Sequence, residues 1–107
     1  MLVAYTVSLD LIRILRPIAS LIAQHDREES RQLVSAASSI VRNIAEGDYR
    51  RGRDRARFFA YAAGSASEVR GSLDLAEGWG WISEAADARA LLNRLLGLLW
   101  GLTHKRG

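Results

Sequence analysis

The sequence contains no cysteine and a single proline among its 107 residues. The missing thiols exclude disulfide bonds and thiolate metal sites, and their absence fits a reducing compartment. No apolar run approaches the roughly 20 residues of a membrane-spanning helix, because charged residues recur every few positions. The amino terminus lacks the pattern of a signal peptide, since Arg13 and Arg16 interrupt its apolar stretch. We therefore expect one cytoplasmic domain covering residues 1–107, without a membrane partner.

Lysine is almost absent as well, because fourteen of the fifteen basic residues are arginine and only Lys105 is lysine. The formal net charge is +3. Arginine makes bidentate contacts with phosphate and carboxylate groups, so this composition permits anion recognition. A coding sequence rich in G and C would produce the same excess of arginine. Composition alone therefore leaves both explanations open.

The spacing of apolar residues predicts four helices and no strands. The first helix is expected from about Thr6 or Ser8 to Gln24, with a kink or a break at Pro17. A second helix should follow Asp26, which has the spacing of a capping box with a glutamate three residues later.

The third helix is expected from near Asp54 to about Glu77. Ser83 is a suitable N-cap for the last helix, which is rich in leucine. Short connections between amphipathic helices favour antiparallel packing of sequential neighbours. The sequence therefore predicts an all-α, up-and-down antiparallel four-helix bundle.

The last helix is apolar around more of its circumference than one core can cover. An apolar surplus of this kind is buried between subunits or exposed as a patch that favours association. We therefore predict a homo-oligomer whose interface includes Leu95, Leu99 and Trp100.

No pattern in the sequence indicates catalysis. The two histidines, His25 and His104, have no glutamate three residues before them, as a di-metal bundle site requires. Glycine-rich phosphate loops, nucleophile elbows and zinc-binding spacings are also missing. We therefore expect no enzymatic activity, no metal and no cofactor.

Polar residues interrupt the apolar stripes of the second and third helices. A polar group near a core must be hydrogen-bonded or it costs a few kcal/mol. An interhelical network that fixes the register of the two helices is the favoured interpretation, and a ligand site between them is the alternative. The residues concerned are Ser39, Asn43, Glu46, Ser65 and Glu68.

A basic cluster spans the turn between the second and third helices. It adjoins a helix start, where free backbone donors favour anions, and Tyr49 offers a ring on which a base could stack. Phosphate binding and a solvated turn with local Arg–Asp pairs are both consistent with the pattern. The arginines of the cluster are Arg50, Arg51, Arg53, Arg55 and Arg57.

Two motifs resemble one bacterial family. Residues 39–47 read S-I-V-R-N-I-A-E-G, similar to the S-I-x-x-N-I-A-E-G signature of four-helix-bundle proteins encoded in intervening sequences of ribosomal RNA genes. Residues 59–68 resemble the second family block, an aromatic residue followed by A-x-G-S-x-x-E. The resemblance extends from about Leu9 to Trp81. The accessory variability determinant of diversity-generating retroelements belongs to the same superfamily as this family.

The resemblance implies a homopentamer of four-helix protomers. For the retroelement branch it also implies binding to RNA or DNA and to a reverse transcriptase through a basic surface. The leading hypothesis is thus a non-catalytic oligomeric protein that binds nucleic acid through the arginine-rich turn, by contacts that salt would weaken. The alternative is a protein-interaction scaffold or adaptor, for example for a reverse transcriptase, without direct contact to nucleic acid.

Overall fold

A computed structural model describes residues 2–104, and every regular element in that range is a helix. Each helix packs against its neighbour in sequence, and the first also packs against the last, which closes a bundle about 46 Å long. The prediction of an all-α four-helix bundle is confirmed for this part of the chain. The helices are α1 (Val3–Ala23), α2 (Arg27–Tyr49), α3 (Gly52–Gly78) and α4 (Ala86–Thr103).

The core is built from one apolar stripe on each helix. Its members recur every three or four residues, which places them on one side of a helix. Alanines on α2 and α3 bring these two helices close together, and α2 and α3 form the most extensive contact between elements. Phe59 on α3 is a fully buried aromatic side chain at one end of this contact.

Helix α1 begins earlier than expected and passes through Pro17 without ending. It begins at Val3 because Ala4 and Val7 extend the buried stripe toward the amino terminus. Pro17 lies on the exposed side of the helix, while Leu15 and the residues beyond it hold the helix against the core. The predicted break therefore does not occur, and the alternative expectation of a kink at Pro17 stays a prediction.

The Asp26 cap of α2 is confirmed, because the Asp26 carboxylate accepts a hydrogen bond from the Glu29 backbone N–H at 3.0 Å. The Asp26 N–H, which Glu29 would accept from in a capping box, donates instead to the Ile22 carbonyl at 2.8 Å. The predicted cap of α4 is wrong. That helix begins at Ala86, and the residue before it makes no side-chain cap. The Glu77 carboxylate at the end of α3 instead accepts from the Ala85 N–H at 3.3 Å, so a partner from another helix replaces the local cap that Ser83 would provide.

Arg89 completes this junction between α3 and α4. Its guanidinium lies 2.8 Å from a carboxylate oxygen of Asp74 and 3.0 Å from one of Glu77. Hydrogen bonds to Asp74 and Glu77 raise the pKa of Arg89 above its usual value. The pairs therefore tie the start of α4 to the last turns of α3.

The interface prediction is wrong for two of its three residues. Leu95 and Leu99 are 0% exposed in the core of the protomer itself, because they continue the buried stripe of α4 that begins at Ala88. Trp100 is 64% exposed. The excess apolar surface of α4 therefore lies at Trp100 and beside the buried stripe.

At Gly47 the backbone of α2 lies directly against the Phe59 ring of α3. A β-carbon placed there would lie 2.7 Å from Cε1 and 2.8 Å from Cδ1 of Phe59, closer than side chains pack. The absence of a side chain at Gly47 thus leaves the space that the Phe59 ring occupies. Because Phe59 is fully buried, it has little freedom to move away.

Gly47→Ala should therefore lower the free energy of unfolding by about 1–3 kcal/mol, the usual cost of overpacking. Urea denaturation monitored by circular dichroism would measure the change. Gly64→Ala is the matched control, since a β-carbon there has no neighbour within 4 Å. It should stabilise the protein by about 0.5–1 kcal/mol through helix propensity. Equal effects of the two substitutions would contradict a steric role for Gly47.

Candidate nucleic-acid interface

The basic cluster lies at the end of the bundle where α1 begins and α4 ends. Only Arg50 and Arg51 separate α2 from α3. Gly52 has φ +60°, a left-handed conformation that glycine adopts without steric cost, and it turns the chain into α3. The tight turn projects the first residues of α3 beyond the end of α2.

Arg55 is directed inward, onto the protein. Its Nη1 donates to the carbonyl oxygens of Gly47 and Asp48, both at 3.2 Å. Its guanidinium also lies over the Phe59 ring, 4.9 Å from the centroid. Since the last carbonyls of a helix have no partner within it, Arg55 supplies a cap for the end of α2.

Arg50 and Arg57 enclose the ring of Phe58, with guanidinium carbons 5.2 and 5.3 Å from its centroid. Arg50 donates to a carboxylate oxygen of Glu46 at 2.9 Å, and Arg57 to one of Asp54 at 3.0 Å. The hydrogen bond to Glu46 raises the pKa of Arg50 above its usual value. Both charges are partly neutralised by these local partners.

Arg51 and Arg53 differ from the other three. Both are exposed, and within residues 2–104 neither side chain has a hydrogen bond or an ion pair. They adjoin the start of α3, which has no side-chain cap, so its first N–H groups face outward. Tyr49, two residues before Arg51 in the chain, is 85% exposed. Two free guanidinium groups, uncapped backbone donors and an aromatic ring therefore share one corner.

The predicted polar network contains only three of its five residues. The hydroxyls of Ser39 and Ser65 lie 2.8 Å apart and join α2 to α3. Asn43 donates to the Ser39 hydroxyl at 3.0 Å and to its carbonyl at 2.9 Å. Glu46 instead pairs with Arg50, and the exposed Glu68 lies on the rim of a polar groove of about 310 Å³. Ser39, Asn43 and Ser65 thus form an interhelical network, and the alternative of a ligand site between the two helices stays a prediction.

The sequence pattern did not identify the unit formed by Gly47, Phe59 and Arg55. A usable signal was present, since an arginine four residues before an aromatic residue on a helix brings the two side chains together. Part of the division of the five arginines had a local signal too, since Arg50 pairs with Glu46 four residues away and Arg57 with Asp54 three residues away. Arg55 instead reaches the carbonyls of Gly47 and Asp48 across the turn, which no spacing along one helix predicts.

Arg55→Ala should lower the free energy of unfolding by about 1 kcal/mol, after allowance for its partial exposure, because a charged hydrogen bond and a cation–π contact are lost. Arg53→Ala removes the same charge without losing a partner and should stay within about 0.5 kcal/mol of the parent protein. Thermal and urea unfolding would compare the two. A loss of stability in Arg53→Ala as large as in Arg55→Ala would refute the division.

None of the helices described between residues 2 and 104 is long and apolar enough to cross a membrane. No curated protein matches the chain. One solved structure, from Bacteroides thetaiotaomicron, is that of a protein with unknown function from the S23 ribosomal protein family. It superposes with a TM-score of 0.84 over 96% of this chain and 100% of its own length, with 21% sequence identity. This likeness establishes the fold alone.

The sequence pattern of one family, described as 23S rRNA-intervening sequence protein, matches residues 2–101. That range contains all of α1, α2 and α3 and most of α4, together with both motifs that carried the resemblance. The additional link to the accessory variability determinant, and the reverse-transcriptase partner that it implies, stay predictions. The chain is thus a four-helix bundle that belongs to the 23S rRNA-intervening sequence protein family.

Proposed function

We propose that this protein is a non-catalytic, oligomeric nucleic-acid-binding bundle, and that it binds RNA in preference to DNA. The corner formed by Arg51, Arg53, the start of α3 and Tyr49 would contact the nucleic acid. The observation that carries the proposal is the pair of exposed guanidinium groups without partners beside an uncapped helix start. RNA is preferred over DNA because the exposed ring of Tyr49 can stack on an unpaired base.

The chemistry of the corner suits a phosphate backbone. Guanidinium groups contact phosphate oxygens in bidentate fashion, and the N–H groups at a helix start add hydrogen-bond donors for an anion. Such contacts position a protein on nucleic acid without reading its sequence. Tyr49 would add stacking on an unpaired base, a contact that is common in single-stranded RNA recognition.

Two arginines in one protomer are too few for firm binding, because each neutralised phosphate contributes modestly and salt competes with it. Several copies that present the same corner would bind much more tightly through effective concentration. We propose a homopentamer, the state that the family resemblance implies. An apolar groove of about 340 Å³ between the start of α1 and the end of α4, lined by Leu2, Val3 and Leu98 among others, supports association beside Trp100.

The double variant Arg51→Ser/Arg53→Ser should lose most of its affinity for single-stranded RNA. In a salt series, the slope of log K against log salt should fall by about 1.4 per engaged protomer, as expected when two phosphate contacts to a single strand are removed. Fluorescence anisotropy with a labelled oligonucleotide would measure both quantities.

The charge-matched control is Arg16→Ser/Arg94→Ser, which removes two exposed arginines that lie outside the corner. Its affinity should stay near that of the parent protein. If both double variants lose affinity equally, general charge rather than the corner binds the RNA. If the parent protein ignores RNA and duplex DNA at moderate salt, the proposed function is wrong.

Trp100→Asp should reduce the mass of the assembly measured by light scattering while the protomer remains helical, because Trp100 is exposed rather than part of the core. Val34→Asp on α2, where the side chain is 50% exposed, is the control and should leave the mass unchanged. An assembly that keeps its full mass with Asp at position 100 would exclude this face of α4 from the interface.

A further inference from the structure

Three aromatic rings stack at the end of the bundle opposite the arginine-rich turn. His25 comes from the connection between α1 and α2, and Trp79 and Trp81 come from the connection between α3 and α4. The His25 and Trp81 rings lie 5.9 Å apart at an angle of 8°, and the Trp81 and Trp79 rings 6.1 Å apart at 14°. The stack thus links two connections that are far apart in sequence.

Backbone hydrogen bonds hold the two tryptophans in position. Gly80 has φ +74°, its N–H donates to the Glu77 carbonyl at 3.0 Å, and the Trp81 N–H donates to the Ala76 carbonyl at 2.9 Å. These bonds form the Schellman motif that ends α3. The outer ring, Trp79, is nevertheless 68% exposed. The large apolar ring of Trp79 is thus exposed to water while hydrogen bonds hold the backbone of its turn, and it is available to a partner.

The same end of the molecule is acidic. Seven carboxylates and three arginines lie in the two connections and the adjoining helix turns, which gives a net charge of −4. Two helix starts and two helix ends meet there, so the helix dipoles largely cancel. The carboxylates are Asp26, Glu28, Glu29, Asp74, Glu77, Glu84 and Asp87, and the arginines are Arg27, Arg31 and Arg89.

A groove of about 270 Å³ continues this surface between α1 and the start of α4. Ile14 and Ile18 form an apolar side, and Glu84 and Asp87 contribute carboxylates. Within residues 2–104 neither carboxylate has an ion pair or a hydrogen bond through its side chain. An arginine side chain matches such a groove, because its methylene stem covers apolar surface while its charged group reaches a carboxylate.

We propose that this acidic aromatic end docks an arginine-bearing segment of a partner protein. One guanidinium stacks on the Trp79 ring, and a neighbouring arginine places its stem along Ile14 and Ile18 with its charge at Glu84 and Asp87. Arginine fits better than lysine because its planar group stacks on an aromatic face. The negative charge of the surface opposes nucleic acid, which the other end of the bundle would bind.

A partner protein is a better occupant than the basic turn of a second copy. Contact between the two opposite ends of identical chains is heterologous, and where its rotation does not close a ring it repeats into open filaments. It would also cover Arg51 and Arg53, which the proposed function gives to nucleic acid. The choice of a partner protein over a second copy thus rests in part on the proposed function, whereas the docking surface itself is built from other residues.

The test is the binding of a labelled peptide of alternating glycine and arginine to the full chain, followed by fluorescence anisotropy at low salt. The parent protein should bind it saturably and more tightly than the lysine version of the peptide. Trp79→Ala should weaken binding about three- to tenfold. Tyr61→Ala is the matched control, since this aromatic side chain is 51% exposed on α3 and lies outside both proposed sites and the proposed oligomer interface, and it should leave the peptide affinity unchanged.

Further variants separate this surface from the nucleic-acid corner. Glu84→Gln/Asp87→Asn should weaken peptide binding about three- to tenfold and reduce its salt dependence, whereas Arg51→Ser/Arg53→Ser should leave it unchanged. Trp79→Phe keeps an aromatic ring and should retain most of the affinity. It serves as the second test of this position if Trp79→Ala disturbs the fold. Melting temperatures would verify that each variant is folded.

Three results would overturn the proposal. The first is equal peptide affinity in the parent protein and Trp79→Ala. The second comes from the fluorescence of the Trp100→Phe variant, in which Trp79 and Trp81 are the remaining tryptophans. The proposal is wrong if this emission responds to single-stranded RNA and not to the arginine peptide. The third is a mass of the assembly, measured by light scattering, that increases with protein concentration in the parent protein but not in Arg51→Ser/Arg53→Ser. The occupant of the docking surface would then be a second copy.

Discussion

The close approach of α2 and α3 at Gly47 is the contact on which the basic end of the molecule depends. The missing side chain admits the ring of Phe59, and Phe59 in turn supports the guanidinium of Arg55. Arg55 then satisfies the last carbonyls of α2. With the end of α2 fixed in this way, the chain has only two residues in which to turn into α3, and this short turn directs Arg51 and Arg53 outward.

The arginine-rich turn therefore combines two roles that a count of charges cannot separate. Arg50, Arg55 and Arg57 hold the turn together through carboxylates, carbonyls and two phenylalanine rings. Surface ion pairs of this kind contribute little individually, but here each also neutralises a charge that would otherwise repel its neighbours. The remaining two guanidinium groups keep their full charge in water, which is the condition for steering and holding an anionic ligand.

The antiparallel bundle also separates its charges along its length. The arginine-rich turn lies at one end, and most carboxylates without a nearby arginine lie at the other, beside exposed aromatic rings. Helices of 18 to 27 residues keep these ends roughly 27 Å or more apart, at about 1.5 Å per residue, well beyond the screening length of about 8 Å at physiological salt. Each end thus presents its own electrostatic field to a partner, which suits a protein that joins two different molecules.

The sequence by itself determined the fold class, the approximate helix boundaries, the Asp26 cap and the family, because helical periodicity, capping spacing and short motifs are local in the chain. It also placed the arginines and the hydroxyl groups that join α2 to α3. Only the tertiary structure decided that Leu95 and Leu99 belong to the protomer core, that Glu77 rather than Ser83 serves the start of α4, and that Arg55 caps the end of α2. In each case the outcome depends on which groups from other helices lie within about 4 Å, and no spacing along one helix encodes that distance.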